Sequence, residues 1–170
     1  LKYIQKWKCS KLKYLNLLWN EFESTGLSYI ENWECPKLVY LSLSSNKLGS
    51  EGLKFIKNWK CKELKYLDLS TNMLGEKGLD YVGKWECPKL KDLYLHSNNL
   101  NDKSLVNLNN LICENLRALT LSNNNRLTKE GIAHLNSWKF KSLRRILISS
   151  NCIKFEDLTD LNESHLIKLI

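Results

Sequence analysis

The stretch Trp33-Glu34-Cys35-Pro36-Lys37-Leu38-Val39-Tyr40-Leu41-Ser42-Leu43-Ser44-Ser45-Asn46-Lys47-Leu48-Gly49-Ser50-Glu51-Gly52-Leu53-Lys54-Phe55-Ile56 holds one complete period of a pattern that runs through the chain. Cys9, Cys35, Cys61, Cys87 and Cys113 recur every 26 residues. Trp7, Trp33, Trp59 and Trp85 keep the same step, two residues ahead of each cysteine. Leu12, Leu15 and Leu17 return as Leu38, Leu41 and Leu43, then as Leu64, Leu67 and Leu69, as Leu90, Leu93 and Leu95, and as Leu116, Leu119 and Leu121. Asn20, Asn46, Asn72, Asn98 and Asn124 close the segment. One extra residue near Asn125-Arg126 shifts the sixth unit, and the pattern resumes with Trp138, Phe140, Leu143, Ile146, Ile148 and Asn151. Self-similarity at a fixed period of this length is the signature of a stacked-repeat architecture.

The physics of one unit predicts its shape. In Leu41-Ser42-Leu43 two apolar residues alternate with an outward one, which predicts a short strand with one buried face. From Gly49 to Trp59 apolar residues recur at helical spacing, which predicts a helix of about three turns with Ser50, and Thr25 one unit earlier, as N-caps. One strand and one helix cannot bury their apolar faces alone. Stacked units can, which predicts a parallel sheet of six strands on the concave side of an arc and helices on the convex side.

The core L-x-x-L-x-L-x-x-N resembles the leucine-rich-repeat family over essentially the whole chain. The Cys35-Pro36 and Cys87-Pro88 unit starts resemble its cysteine-containing subclass, and N-x-L-x-x-x-G-L resembles ribonuclease-inhibitor-like repeats. One departure from the cysteine-containing subclass is the asparagine column, where that subclass often carries cysteine. The resemblance implies an α/β solenoid, a right-handed β-α superhelix, that serves as a protein–protein interaction scaffold. It also implies an alternative, the substrate-receptor arm of a ubiquitin ligase or of a bacterial effector whose catalytic module lies elsewhere.

The columns separate packing from function. Asparagine both donates and accepts, so its column reads as a ladder of turn hydrogen bonds. The tryptophans read as fillers between helix and sheet, with Leu111 replacing them in the fifth unit. The cysteines read as small buried apolar residues; stacked thiols also raise metal binding or disulfides, but the uniform spacing offers no C-x-x-C pair and Phe140 takes the place in unit six. Free thiols favour a reducing compartment, hence a cytoplasmic expectation.

What packing leaves over is the concave face. One column there reads Lys13, Val39, Lys65, Lys91, Arg117 and Arg144; the next Tyr14, Tyr40, Tyr66, Asp92, Ala118 and Arg145; the third Asn16, Ser42, Asp68, Tyr94, Thr120 and Leu147. Tyr14, Tyr40 and Tyr66 form an aromatic stripe that Tyr94 and Trp19 extend. Tyrosine and tryptophan bury large areas while keeping a polar handle, so the stripe with its basic neighbours suits a protein or peptide of acidic character. The other reading is that tyrosine is simply a good strand residue on an exposed sheet face. Asp68, Asp92 and His96 are the nearest approach to an acid–base group, yet no nucleophile motif, phosphate loop or metal spacing accompanies them, so neither an enzyme nor a cofactor is expected.

The formal charge of +8 draws acidic partners in general. Many lysines, such as Lys54, Lys57, Lys60 and Lys62, fall on helices and turns rather than in one groove, which argues against nucleic acid. No apolar run reaches the roughly 20 residues that cross a bilayer, and no membrane partner is expected. Leu1, Ile4 and Trp7 match Leu27, Ile30 and Trp33 in register, so residues 1–170 read as one domain of about six units within a longer array.

Overall fold

The structure is a computed structural model that describes residues 1–59 and 61–158. Lys60 and residues 159–170, which include His165 and an Asn162-Glu163-Ser164 triplet that fits the N-glycosylation sequon, lie outside the described residues.

Six strands of three residues each pair in parallel in chain order: β1 (Tyr14–Asn16), β2 (Tyr40–Ser42), β3 (Tyr66–Asp68), β4 (Asp92–Tyr94), β5 (Ala118–Thr120) and β6 (Arg145–Leu147). The register follows the repeat, with Leu15, Leu41, Leu67, Leu93, Leu119 and Ile146 aligned across the sheet. Between strands the chain passes through α1 (Gly49–Gly52), α2 (Gly75–Val82), α3 (Asp102–Leu108) and α4 (Lys129–Ala133), with 3-10 turns at Ser24–Ile30, Leu53–Phe55 and His134–Ser137. Successive helical segments pack on one another, so the fold is an α/β solenoid with one six-stranded parallel sheet.

The helical segments are shorter than the expected three turns. The α1 coil holds one α-turn and then tightens to 3-10, and the first coil is 3-10 throughout. The glycine column explains part of this. A Cβ on Gly52 would lie 2.8 Å from Leu48 Cβ, and one on Gly78 would lie 2.6 Å from Leu74 Cβ. The helix therefore starts hard against the leucine that follows each asparagine, and glycine permits that approach while weakening the helix. The caps also differ from expectation. Ser50 and Thr25 lie inside their helical segments. Side-chain caps come instead from Asn101, which forms a reciprocal capping box with Ser104, and from Thr128.

The leucines fill the core. Leu38, Leu41, Leu43, Leu64, Leu69, Leu90, Leu93 and Leu95 are wholly buried, each contributing ~1.5–3 kcal/mol relative to exposure. Trp33, Trp59, Trp85 and Trp138 are buried as expected, and Trp33 stacks on Trp59 with centroids 6.2 Å apart. Trp7 departs from its column: it is 64% exposed, because no coil described here lies on its other side.

The asparagine ladder joins coil to coil. Asn98 Nδ2 donates to Leu69 O of the preceding coil at 2.9 Å and to Leu95 O of its own at 3.1 Å. Its Oδ1 accepts the amides of Asn72 at 2.9 Å and Leu74 at 3.4 Å. Asn46 and Asn124 repeat the arrangement and Asn151 does so with one accepted amide, while Asn72 Oδ1 is buried without a partner among the described residues. The residue before each asparagine is left-handed, with φ from 53 to 59° at Trp19, Ser45, Thr71, Ser97, Asn123 and Ser150. The extra residue of the sixth unit falls after Asn124, outside the strands, so Asn124 N still donates to Asn151 Oδ1 at 2.9 Å.

Replacing Asn98 by Ala strands buried carbonyl and amide groups in two coils and should cost about 3 kcal/mol or more in urea unfolding. Asn20→Ala, at an exposed position whose own amide reaches only Leu18 O, should cost less than about 1 kcal/mol. Equal losses would remove the ladder from the account of stability.

Candidate functional site

Strands β2 to β6 bury their central leucine or isoleucine, β1 half-buries Leu15, and each turns the residues on either side of it to the face of the sheet opposite the helices. This open face holds two columns. Tyr14, Tyr40, Tyr66, Asp92, Ala118 and Arg145 are register partners in the first, and Asn16, Ser42, Asp68, Tyr94, Thr120 and Leu147 in the second.

The tyrosine stripe exists as a line of three. Tyr14 is 68% exposed and its ring lies 6.4 Å from that of Tyr40, while Tyr66 is 38% exposed. Tyr94 does not continue the line. It pairs in register with Asp68 and so stands in the second column, diagonal to Tyr66. Trp19 sits beyond the strand in the left-handed turn and is 82% exposed.

The basic column lies one residue ahead of each strand, at the rim of the open face. Its backbone is occupied: Lys13 O accepts Val39 N and Tyr40 N, Lys65 O accepts Lys91 N and Asp92 N, and Lys91 O and Arg117 O do the same for the coils that follow. Lys65 and Lys91 are half-buried, and Arg117 is exposed. Arg144 turns away from the face, since its Nη1 donates to Lys141 O at 3.0 Å and to Leu143 O at 2.9 Å. Arg145, on β6, carries the exposed guanidinium of the face instead.

Some candidate polar groups also hold the backbone. Asn16 Oδ1 accepts Leu18 N, and Asp68 Oδ1 accepts Ser70 N, both at 3.0 Å, closing the strand ends. His96 Nδ1 lies 3.3 Å from Thr120 Oγ1 and is not hydrogen-bonded to Asp68 or Asp92, so the three do not assemble into an acid–base pair. Tyr94 feels both carboxylates: burial chiefly, then Asp92 and Asp68, push its hydroxyl pKa up, while Arg145 pulls it down.

Two features break the evenness of the repeat. Ala118 and Thr120 make a low floor on β5, 5% and 8% exposed, between the taller side chains of β4 and β6. The signal was the drop in residue size within columns otherwise filled by Tyr, Asp and Arg. On the helix side Ile112 is 60% exposed beside a recess of about 750 Å³ that Leu111, Phe140 and Lys141 also line. The loss of the tryptophan at position 111 was the visible sign of that irregularity.

The cysteine column lies in the core. Cys35, Cys61, Cys87 and Cys113 are buried, and burial pushes their thiols up to about 12, with neighbouring thiols of the column adding to the effect for Cys35, Cys61 and Cys87. Cys152 is exposed, and Phe140 occupies the column in unit six with 4% exposure. Among the described residues no group of three potential ligands is placed to hold a metal ion, and no helix is long and apolar enough to cross a membrane.

A parallel sheet in chain order, a helical segment behind each strand and an asparagine ladder at each turn define a repeat solenoid. The family model for the leucine-rich repeat matches residues 8–30 and 34–57, the first two units, and the same columns run on through the remaining strands. Residues 8–30 and 34–57 are leucine-rich repeats, and the six-stranded parallel sheet with its helices fits a leucine-rich-repeat solenoid. No curated protein matches it significantly. Domains of this family generally mediate protein–protein interaction and typically serve as non-catalytic scaffolds.

The thiols give a direct check. With folded values near 12 against an ordinary 9.0, the four core cysteines hold their protons longer folded than unfolded. Their contribution to stability is therefore complete below pH 9 and is lost as the pH rises from 9 towards 12. Iodoacetamide at neutral pH should label Cys152 first, with Cys35, Cys61, Cys87 and Cys113 modified only on unfolding, as read by mass spectrometry. Early labelling of the column would contradict its packing role.

Proposed function

We propose that the chain is a protein-interaction scaffold that takes a protein or peptide partner on the open face of its sheet. The observation that carries this is the in-register line Tyr14, Tyr40 and Tyr66, which keeps aromatic surface on the face that the helices do not cover. The leucines, asparagines, core tryptophans and core cysteines are taken up by stacking. The tyrosines are not needed for stacking, and large aromatics at the centre of a face are what interfaces most often use as anchors. A partner anchored there meets the basic rim of Lys65, Lys91 and Arg117, which favours acidic groups at the border of the contact.

The reading supports a binding role without chemistry in this segment. His96 is engaged with Thr120 and Asp68 with Ser70, which leaves no nucleophile–base pair among the residues named for the face. The buried reduced thiols support a reducing, cytoplasmic setting.

The double replacement Tyr40→Ala and Tyr66→Ala should weaken capture of the partner at least about tenfold, the effect of roughly 1.4 kcal/mol, while the urea midpoint stays within the range of surface substitutions. Capture that is unchanged with the fold intact would move the site off this face.

A further inference from the structure

The register of β3 and β4 sets Tyr66 beside Asp92 and Asp68 beside Tyr94. The four side chains occupy a square in which the carboxylates take one diagonal and the phenols the other, with neighbours ~4.8 Å apart across the strands. Asp92 is half-buried and, among the described residues, its carboxylate makes no hydrogen bond or ion pair. Asp68 Oδ1 accepts from both the amide and the hydroxyl of Ser70, while Oδ2 accepts only the Ser42 hydroxyl, at 3.5 Å. Next to this square lies the low floor of Ala118 and Thr120, and beyond it Arg145 and Leu147. Arg145 also makes no side-chain hydrogen bond or ion pair among the described residues; its backbone stands two strand spacings from that of Asp92, ~10 Å.

We propose that the β3–β6 part of the open face docks an extended protein segment of mixed charge, which sets a lysine or arginine between Tyr66 and Tyr94 against Asp68 and Asp92, crosses Ala118 and Thr120, and sets an acidic side chain against Arg145. This rests on the open-face reading above and specifies the partner for it. Charge complementarity carries the choice of occupant. Two unpaired opposite charges flank a floor of small residues, and a segment bearing both complements satisfies each of them. A cation within ~6 Å of a tyrosine centroid gains from the ring as well as from the carboxylates, which no acidic or purely apolar segment does. The inferred anchor is therefore basic although the chain as a whole carries +8, so the specificity of the centre opposes the attraction of the rim. Tyr94 shows that these groups share one field, since Asp92, Asp68 and Arg145 all act on its hydroxyl.

The test is selection from a random-peptide display library on four proteins: the full chain, Asp68→Asn with Asp92→Asn, Arg145→Glu, and Tyr40→Ala. The asparagines keep the size of the side chains and an acceptor for Ser70, and circular dichroism confirms that each variant folds. Peptides recovered on the full chain should combine a lysine or arginine with an aspartate or glutamate. A synthetic copy should bind the double-asparagine variant about tenfold more weakly, in keeping with loss of a charge-assisted contact. Selection on Arg145→Glu should lose the acidic residue and keep the basic one. Recovered peptides without a basic residue, or peptides that bind the double-asparagine variant equally well, overturn the proposal. If such peptides still lose affinity on Tyr40→Ala, the open-face reading stands and only the basic anchor falls. If no peptide is enriched, or if the enriched peptides depend neither on the two aspartates nor on Tyr40, both fall.

Discussion

An asparagine side chain that reaches from one coil into the next is the contact on which the rest of this structure depends. A strand of three residues has too little backbone pairing to stand alone, and its leucines find a core only when another coil lies against it. The chain must turn sharply after each strand, which forces a left-handed residue and leaves carbonyls and amides pointing inward. Asn98 answers both needs with one amide: it caps Leu95 O in its own turn, reaches Leu69 O in the previous one, and takes the amides of Asn72 and Leu74. Thr71 shows how firmly the turn is imposed, since a β-branched residue is held at φ 54° there.

That constraint decides what is left for function. Residues that face the helices or the neighbouring turn are committed to stacking, and the same holds for several polar groups that the sequence offered as contacts. Asn16 and Asp68 close strand ends, and Arg144 folds back on Lys141 and Leu143. Tyr14, Tyr40, Tyr66, Asp92, Tyr94 and Arg145 carry the remaining chemical character of the sheet face. Their arrangement is uneven along the solenoid, aromatic over β1 to β3, acidic and aromatic at β3 and β4, low at β5 and basic at β6. A solenoid of equal coils thus presents an unequal surface, because the outward positions are free of the packing rules that keep the inward ones alike.

Most of the fold was legible because stacking repeats the same physical demand in every coil. The leucine, tryptophan, cysteine and asparagine columns announced strands, fillers and turns before any coordinate was known, and Asn124 to Asn151 shows that one inserted residue leaves the ladder unbroken. Features that depend on a single coil were less visible. The true caps at Asn101 and Thr128 have no counterparts at Ser50 and Thr25, because the left-handed Gly49 sets the start of α1 instead. Trp7 obeys its column in sequence and leaves it in space, since burial there needs a neighbouring coil. On the face, the columns themselves were readable, with Tyr66 and Tyr94 in different ones, but the direction of Arg144 depends on the local backbone.

The account holds that stacking uses the inner and helix-facing surfaces and that a protein partner meets the open sheet. Site-specific photo-crosslinking tests this most directly. A benzophenone side chain at position 66, on the open face, and another at Lys103, on the helix side, can be irradiated in a lysate of the source cells. The account predicts a discrete protein adduct from position 66 and none from position 103. An adduct from position 103 alone would place the partner on the helices and contradict it.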